Sequence, residues 1–163
     1  MLKKFLPSNN NHGFTLVELL VVIFIIGILA SLLVSNFVGM RNRAEDAQKK
    51  ADLEATRKAL QLYYTDYQRF PRASNDLIAG CGATGIDECD VNFTAGNPPT
   101  NYMNALPESY EYYVDLSGDH YLLVSYLDNA SDEDIAASQA KCSANVSTIG
   151  PSLDENAYVI CND

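Results

Sequence analysis

Glu18 is the residue of this sequence with the clearest chemical meaning. It is the single charged residue in FTLVELLVVIFIIGILASLLVSNFV, residues 14–38. A carboxylate held inside hydrocarbon costs ~2.5 kcal/mol or more, so it marks a function and requires a counter-charge. Four cysteines, Cys81, Cys89, Cys142 and Cys161, all lie in the C-terminal half, without C-x-x-C spacing. With only His12 and His120 to accompany them, zinc ligation is poorly supported. An even count, in a domain that a membrane segment would deliver outside the cytoplasm, favours two disulfides. Of the three pairings, we prefer Cys81 with Cys89 and Cys142 with Cys161, because local closure is sterically easiest for the first. Oxygen ligands for calcium could come from Asp128-Asn129-Ala130-Ser131-Asp132-Glu133-Asp134, with Asp128, Asp132 and Asp134 as the candidates, or from Asp87-Glu88-Cys89-Asp90. Neither segment has EF-hand spacing, and acid in the first turn of a helix is expected without any metal. No cofactor is therefore expected. The chain also lacks a Gly-rich phosphate loop, a Cys placed with a His, and a nucleophile elbow, so it is expected to do no chemistry of its own.

The elements that would carry these residues follow from pattern. Residues 1–13, MLKKFLPSNNNHG, are short, basic and polar, with Pro7 and an Asn run that will not hold a helix. They read as a leader. Residues 14–38 are long enough at 1.5 Å per residue to cross a ~30 Å hydrocarbon core. Residues 39–70 continue as an amphipathic helix rich in Ala, Leu, Arg, Lys, Gln and Glu, with Leu53, Leu60 and Tyr67 on a seven-residue repeat. Phe70-Pro71 stops it, since the residue before Pro is pushed out of the helical region. The helix from residue 14 to about residue 67 would be a rod on the order of 80 Å long.

Residues 71–163 form the head. Residues 72–102 are loop-like, broken by Gly80, Gly82, Gly85, Gly96 and Pro98-Pro99. YEYYVD and HYLLVSYL around Ser117-Gly118-Asp119 predict an antiparallel hairpin, with Tyr110, Tyr112, Tyr113, Tyr121 and Tyr126 as cross-strand packing. Ser131 with Asp134 three residues on predicts a capping box opening a helix to about Lys141, and AYVIC at residues 157–161 predicts a third strand. Such a sheet must cover its apolar face with the amphipathic half of the long helix. The expected class is α+β.

The stretch Gly13-Phe14-Thr15-Leu16-Val17-Glu18, followed by Leu19-Leu20-Val21-Val22-Ile23 and Ile26-Gly27-Ile28-Leu29-Ala30, resembles the class III signal peptide of type IV pilins and type II secretion pseudopilins. The likeness is close over residues 3–30; beyond them it is architectural. It implies a pilin fold, cleavage between Gly13 and Phe14 by a prepilin peptidase, and N-methylation of the new Phe14 amine. It also implies that Glu18 of an incoming subunit meets the Phe14 amine of a neighbour, which would set the axial register of a filament. Gly13 suits a peptidase that needs close backbone access. Implied partners are further copies and other pilins, the peptidase and methyltransferase, an inner-membrane platform protein, a separate assembly ATPase, and lipid before assembly. The implied location is the inner membrane with a single span, then an extracellular or periplasmic filament. The sequence departs from the family's pattern at Ser35, where many pilins carry Pro, so no loosening of the helix between Gly27 and Ser35 is expected.

Two branches remain, a surface pilin or a secretion pseudopilin, and the cysteines with the missing calcium signature tilt the reading toward a pilin. From a different class, a tethered binding or sensory module would use the span only as an anchor. Formal net charge is -10, and residues 73–163 hold fifteen Asp or Glu against Lys141 alone, a head near -14. Such a surface repels phosphate backbones, which argues against direct nucleic-acid binding.

Overall fold

The computed structural model describes residues 13–162, and the side chains of residues 32–38 lie outside that description. Residues 1–12, most of the expected leader, lie outside it too. The chain divides into two compact units that meet at Met40 and Arg41.

One helix, α1 (Leu16–Tyr67), supplies the N-terminal unit and continues into the head. Its 52 residues hold no proline and no break at Ser35. Strong helix formers dominate its second half, which is why it persists where the apolar run ends. It ends with Gln68 in the left-handed region (φ 55°), whose N–H donates to the Tyr64 carbonyl at 2.8 Å. Phe70-Pro71 then keeps the chain extended.

Leu53 and Leu60 of α1 are fully buried, as their repeat predicts, but Tyr67 is 36% exposed. Tyr63 takes the core position instead, stacked between Tyr67 at 4.3 Å and Phe93 at 5.2 Å. A straight helix of 3.6 residues per turn drifts off a strict seven-residue repeat, so the buried line moves from the expected third position to its neighbour one turn back.

Residues 72–102 are not simply loop. They fold into two antiparallel hairpins, β1 (Arg72–Ser74) with β2 (Leu77–Ala79), and β3 (Phe93–Ala95) with β4 (Thr100–Met103). Strands of three or four residues carry too few positions for periodicity to register. The turn of the first hairpin is made by Asn75 (φ 49°) and Asp76 (φ 60°), residue types that tolerate positive φ at both centres of a two-residue loop.

The main sheet runs β5 (Glu111–Val114), β6 (Tyr121–Tyr126), β7 (Ala157–Cys161), all antiparallel with β6 central. Both of its faces are covered. Tyr112, Tyr121, Leu123 and Ile160 pack with Leu53, Leu60 and Tyr63 of α1. Leu122, Val124, Val159 and Cys161 pack with Cys142, Val146 and Ile149 on the other side. That second cover is a pair of helices, α2 (Glu133–Lys141) and α3 (Ser143–Ile149). The N-cap of α2 is Asp132, whose carboxylate accepts the Asp134 N–H at 3.0 Å, not the expected Ser131. Ser131 instead donates its own N–H to Asn129 Oδ1 at 3.3 Å. The short α3 had no periodic signature, and it closes on Gly150, whose φ of 84° suits glycine at a helix end.

Candidate functional site

Glu18 sits in the first turn of α1, and Thr15 stands just before it. The two side chains close a reciprocal capping box. The Glu18 carboxylate accepts the Thr15 backbone N–H at 2.8 Å and the Thr15 hydroxyl at 2.9 Å. In return the Glu18 N–H donates to Thr15 Oγ1 at 3.2 Å. Within one copy, therefore, the carboxylate caps the positive end of its own helix, where an anion is favoured. Thr15 is a site residue that attention to charge alone passed over, although Thr-x-x-Glu ahead of an apolar run is itself a capping signature.

Around this box the unit presents bare hydrocarbon. Phe14 is 88% exposed, and Leu16, Val17, Leu19, Leu20, Ile23 and Phe24 are all exposed. A shallow groove along Leu20, Ile23, Phe24, Gly27, Ile28 and Ser31 runs up one side. Gly27 leaves open space where a side chain would stand, so another helix could approach closely there. Gly13 and Phe14 lie outside regular structure ahead of the helix, and a side chain at Gly13 would meet open space among the described residues. Among the described residues no helix is long and apolar enough to cross a membrane; residues 32–38, whose side chains are not described, complete the apolar run.

In the head the structure pairs Cys81 with Cys89 and Cys142 with Cys161, with Cα separations of 5.4 and 5.7 Å. The second bridge ties the start of α3 to the end of β7. The calcium candidates are brought together, but against lysines. Lys49 donates to Asp128 Oδ2 and to the Tyr126 carbonyl, both at 2.9 Å. Lys50 donates to Asp132 Oδ1 at 2.8 Å and Asp134 Oδ2 at 2.7 Å. Burial opposes the Lys50 charge, but the hydrogen bonds to Asp132 and Asp134 outweigh it and raise its pKa. Asp46, 2% exposed, accepts the N–H groups of Asp128 at 2.7 Å and Asn129 at 3.0 Å. Ammonium and amide donors thus occupy oxygens that a calcium ion would need in this arrangement. Among the described residues no cluster of His, Cys, Asp and Glu is arranged to hold a metal. Lys49, Lys50 and Asp46 carried no signal of this role in the sequence, since their partners lie some eighty residues away.

Asp115 organises the β5–β6 turn. Its carboxylate accepts N–H groups of Gly118 at 2.8 Å, Asp119 at 2.9 Å and His120 at 3.2 Å, and the Ser117 hydroxyl at 2.8 Å. Burial alone would raise its pKa, yet donation from Ser117, His120 and Asp119 holds it at about 2. His120 Nδ1 lies 3.2 Å from the same carboxylate, so this histidine is a hairpin residue, as its place in the strand pattern predicts.

Residues 8–34 match the family model described as the prokaryotic N-terminal methylation motif. The chain is 31% identical over 118 residues to type II secretion system core protein G of Escherichia coli (strain K12), a match covering 72% of this chain and 74% of that protein. It is 36% identical over 97 residues to the core protein G of Klebsiella pneumoniae, covering 60% of this chain and 66% of the relative. With the type IV major pilin protein PilA of Myxococcus xanthus (strain DK1622) it shares 34% over 67 residues, 41% of this chain and 30% of the pilin. The chain thus spans just under two thirds of the Klebsiella protein and about three quarters of the Escherichia one. No solved structure matches it.

Proposed function

Because this chain belongs to the family of type II secretion system core protein G, we propose that it is a pseudopilin, a subunit that polymerises through its N-terminal helix into a filament driving secretion. The observation that carries this reading is the Gly13-Phe14-Thr15-Leu16-Val17-Glu18 stretch opening a helix whose apolar side chains, over residues 16–29, are exposed among the described residues. A prepilin peptidase cuts after Gly13, and the Phe14 amine is methylated. The apolar run, extended through residues 32–38, anchors the subunit in the inner membrane as a single span before assembly. On entering the fibre, Glu18 exchanges its contact with Thr15 for the Phe14 amine of a neighbouring copy. An inner-membrane platform protein and a cytoplasmic ATPase, neither supplied by this chain, perform the work.

Of the two branches raised by the sequence, the secretion branch is supported by likeness over 118 residues, which reaches well into the head. The surface-pilin branch is supported by the two cystines and by a likeness of 67 residues to a major pilin. Deleting the gene in its native host separates them. A pseudopilin is expected to leave exoproteins in the periplasm and surface fibres intact, whereas loss of surface fibres with normal secretion would overturn the assignment. A tethered binding module would keep its activity with Glu18→Ala; a filament subunit inserts and fails to polymerise.

A further inference from the structure

We infer that Lys49 and Lys50 are the built-in cations of residues 126–134, so that this acidic segment docks on α1 and the head folds without calcium. The argument starts from the number of negative groups brought together. Asp128, Asp132 and Asp134 converge on one turn of α1 beside the buried Asp46. Carboxylates gathered this way repel one another unless a positive charge sits between them. A calcium ion is one solution, and it takes six to eight oxygens at close range. Two adjacent lysines on the helix are the solution adopted here.

At least one oxygen of each of these groups has a donor. Lys49 holds a main-chain carbonyl, Tyr126, and a carboxylate, Asp128, at 2.9 Å each, with Asp46 Oδ1 3.8 Å away. Lys50 bridges Asp132 and Asp134 at 2.8 and 2.7 Å, and its ammonium lies 5.5 Å from the Tyr158 ring centre. Both oxygens of Asp46 are taken by backbone N–H groups. A calcium ion entering this cluster would have to expel two ammonium groups tethered to the same helix and would then sit beside them, a like-charge arrangement. Because Asp132 also caps α2, Lys50 couples the long helix to the start of the helix pair that covers the second face of the sheet.

Thermal unfolding of the full chain in detergent, followed by circular dichroism in excess EGTA and in excess calcium chloride, tests this. The expected result is one midpoint in both conditions, with no tyrosine-sensitised terbium emission when terbium chloride is added. A midpoint lowered by EGTA, or terbium emission that calcium competes away, would overturn the inference. For the double variant Lys49→Met, Lys50→Met the midpoint is expected to fall by about 5 °C or more; a midpoint equal to wild type would also overturn it. Should the double variant not fold, the wild-type comparison decides alone. The readout is the fold of the head, so its failure leaves the filament reading untouched, and the reverse holds as well.

Discussion

At Thr15 and Glu18 the structure answers how an acid can wait at the start of an apolar helix. The hydroxyl and N–H of Thr15 and the positive end of α1 stabilise the carboxylate within one copy. Glu18→Ala is expected to leave processing and insertion intact while polymerisation falls on the order of 100-fold, the result of losing one partner of a dry ion pair; sheared-fibre yield against membrane-retained subunit measures it. Asp115 gives a second expectation. Its folded pKa of about 2 lies below the ordinary carboxylate value, so its contribution is present above pH ~4 and is lost as pH falls toward 2. Asp115→Asn should cost about 1–2 kcal/mol at neutral pH, discounted for partial solvent access, and the gap to wild type should close between pH ~4 and ~2 in urea titrations. Glu18 was legible because a charge inside an apolar run violates a strong physical rule. Asp46, Lys49 and Lys50 were not, because their roles exist only once residues 126–134 have returned to the helix.

Among the elements, the long helix, the β5–β6 hairpin and β7 were legible because each has enough residues to show a period or a turn. The first two hairpins and α3 were not, since strands of three or four residues and a seven-residue helix are fixed by tertiary contacts and turn chemistry. The apolar run YLLV that opens β6 did carry an unread signal: a strand without alternation is buried on both faces, so a second cover had to exist. That cover is held by Cys142–Cys161, which closes a separation of 19 residues. Replacing both cysteines by serine should destabilise the head by about 3 kcal/mol on the chain-entropy account, read as a lower urea midpoint with little change in slope. Leu53→Ala, which empties a fully buried position between α1 and the sheet, should cost about 2–5 kcal/mol in the same assay.

For the whole molecule the sequence and structure converge on a division of labour between two units. Basic residues cluster in residues 41–72, and acid dominates the remainder of the head. Part of that basic segment neutralises the head's own acid at Lys49 and Lys50, leaving the N-terminal helix, apolar from residue 14 to 38 apart from Glu18 and a few small polar residues, as the surface available to other copies. Its exposed apolar side chains are stable only in lipid or among similar helices, so the molecule is incomplete by itself. The most direct measurement is intact-mass and N-terminal analysis of this polypeptide in fibres sheared or extracted from its native host. The account predicts a chain beginning at Phe14 with a methylated amine and present as a polymerised subunit. A chain still beginning at Met1, or fibres that lack the polypeptide altogether, would contradict it.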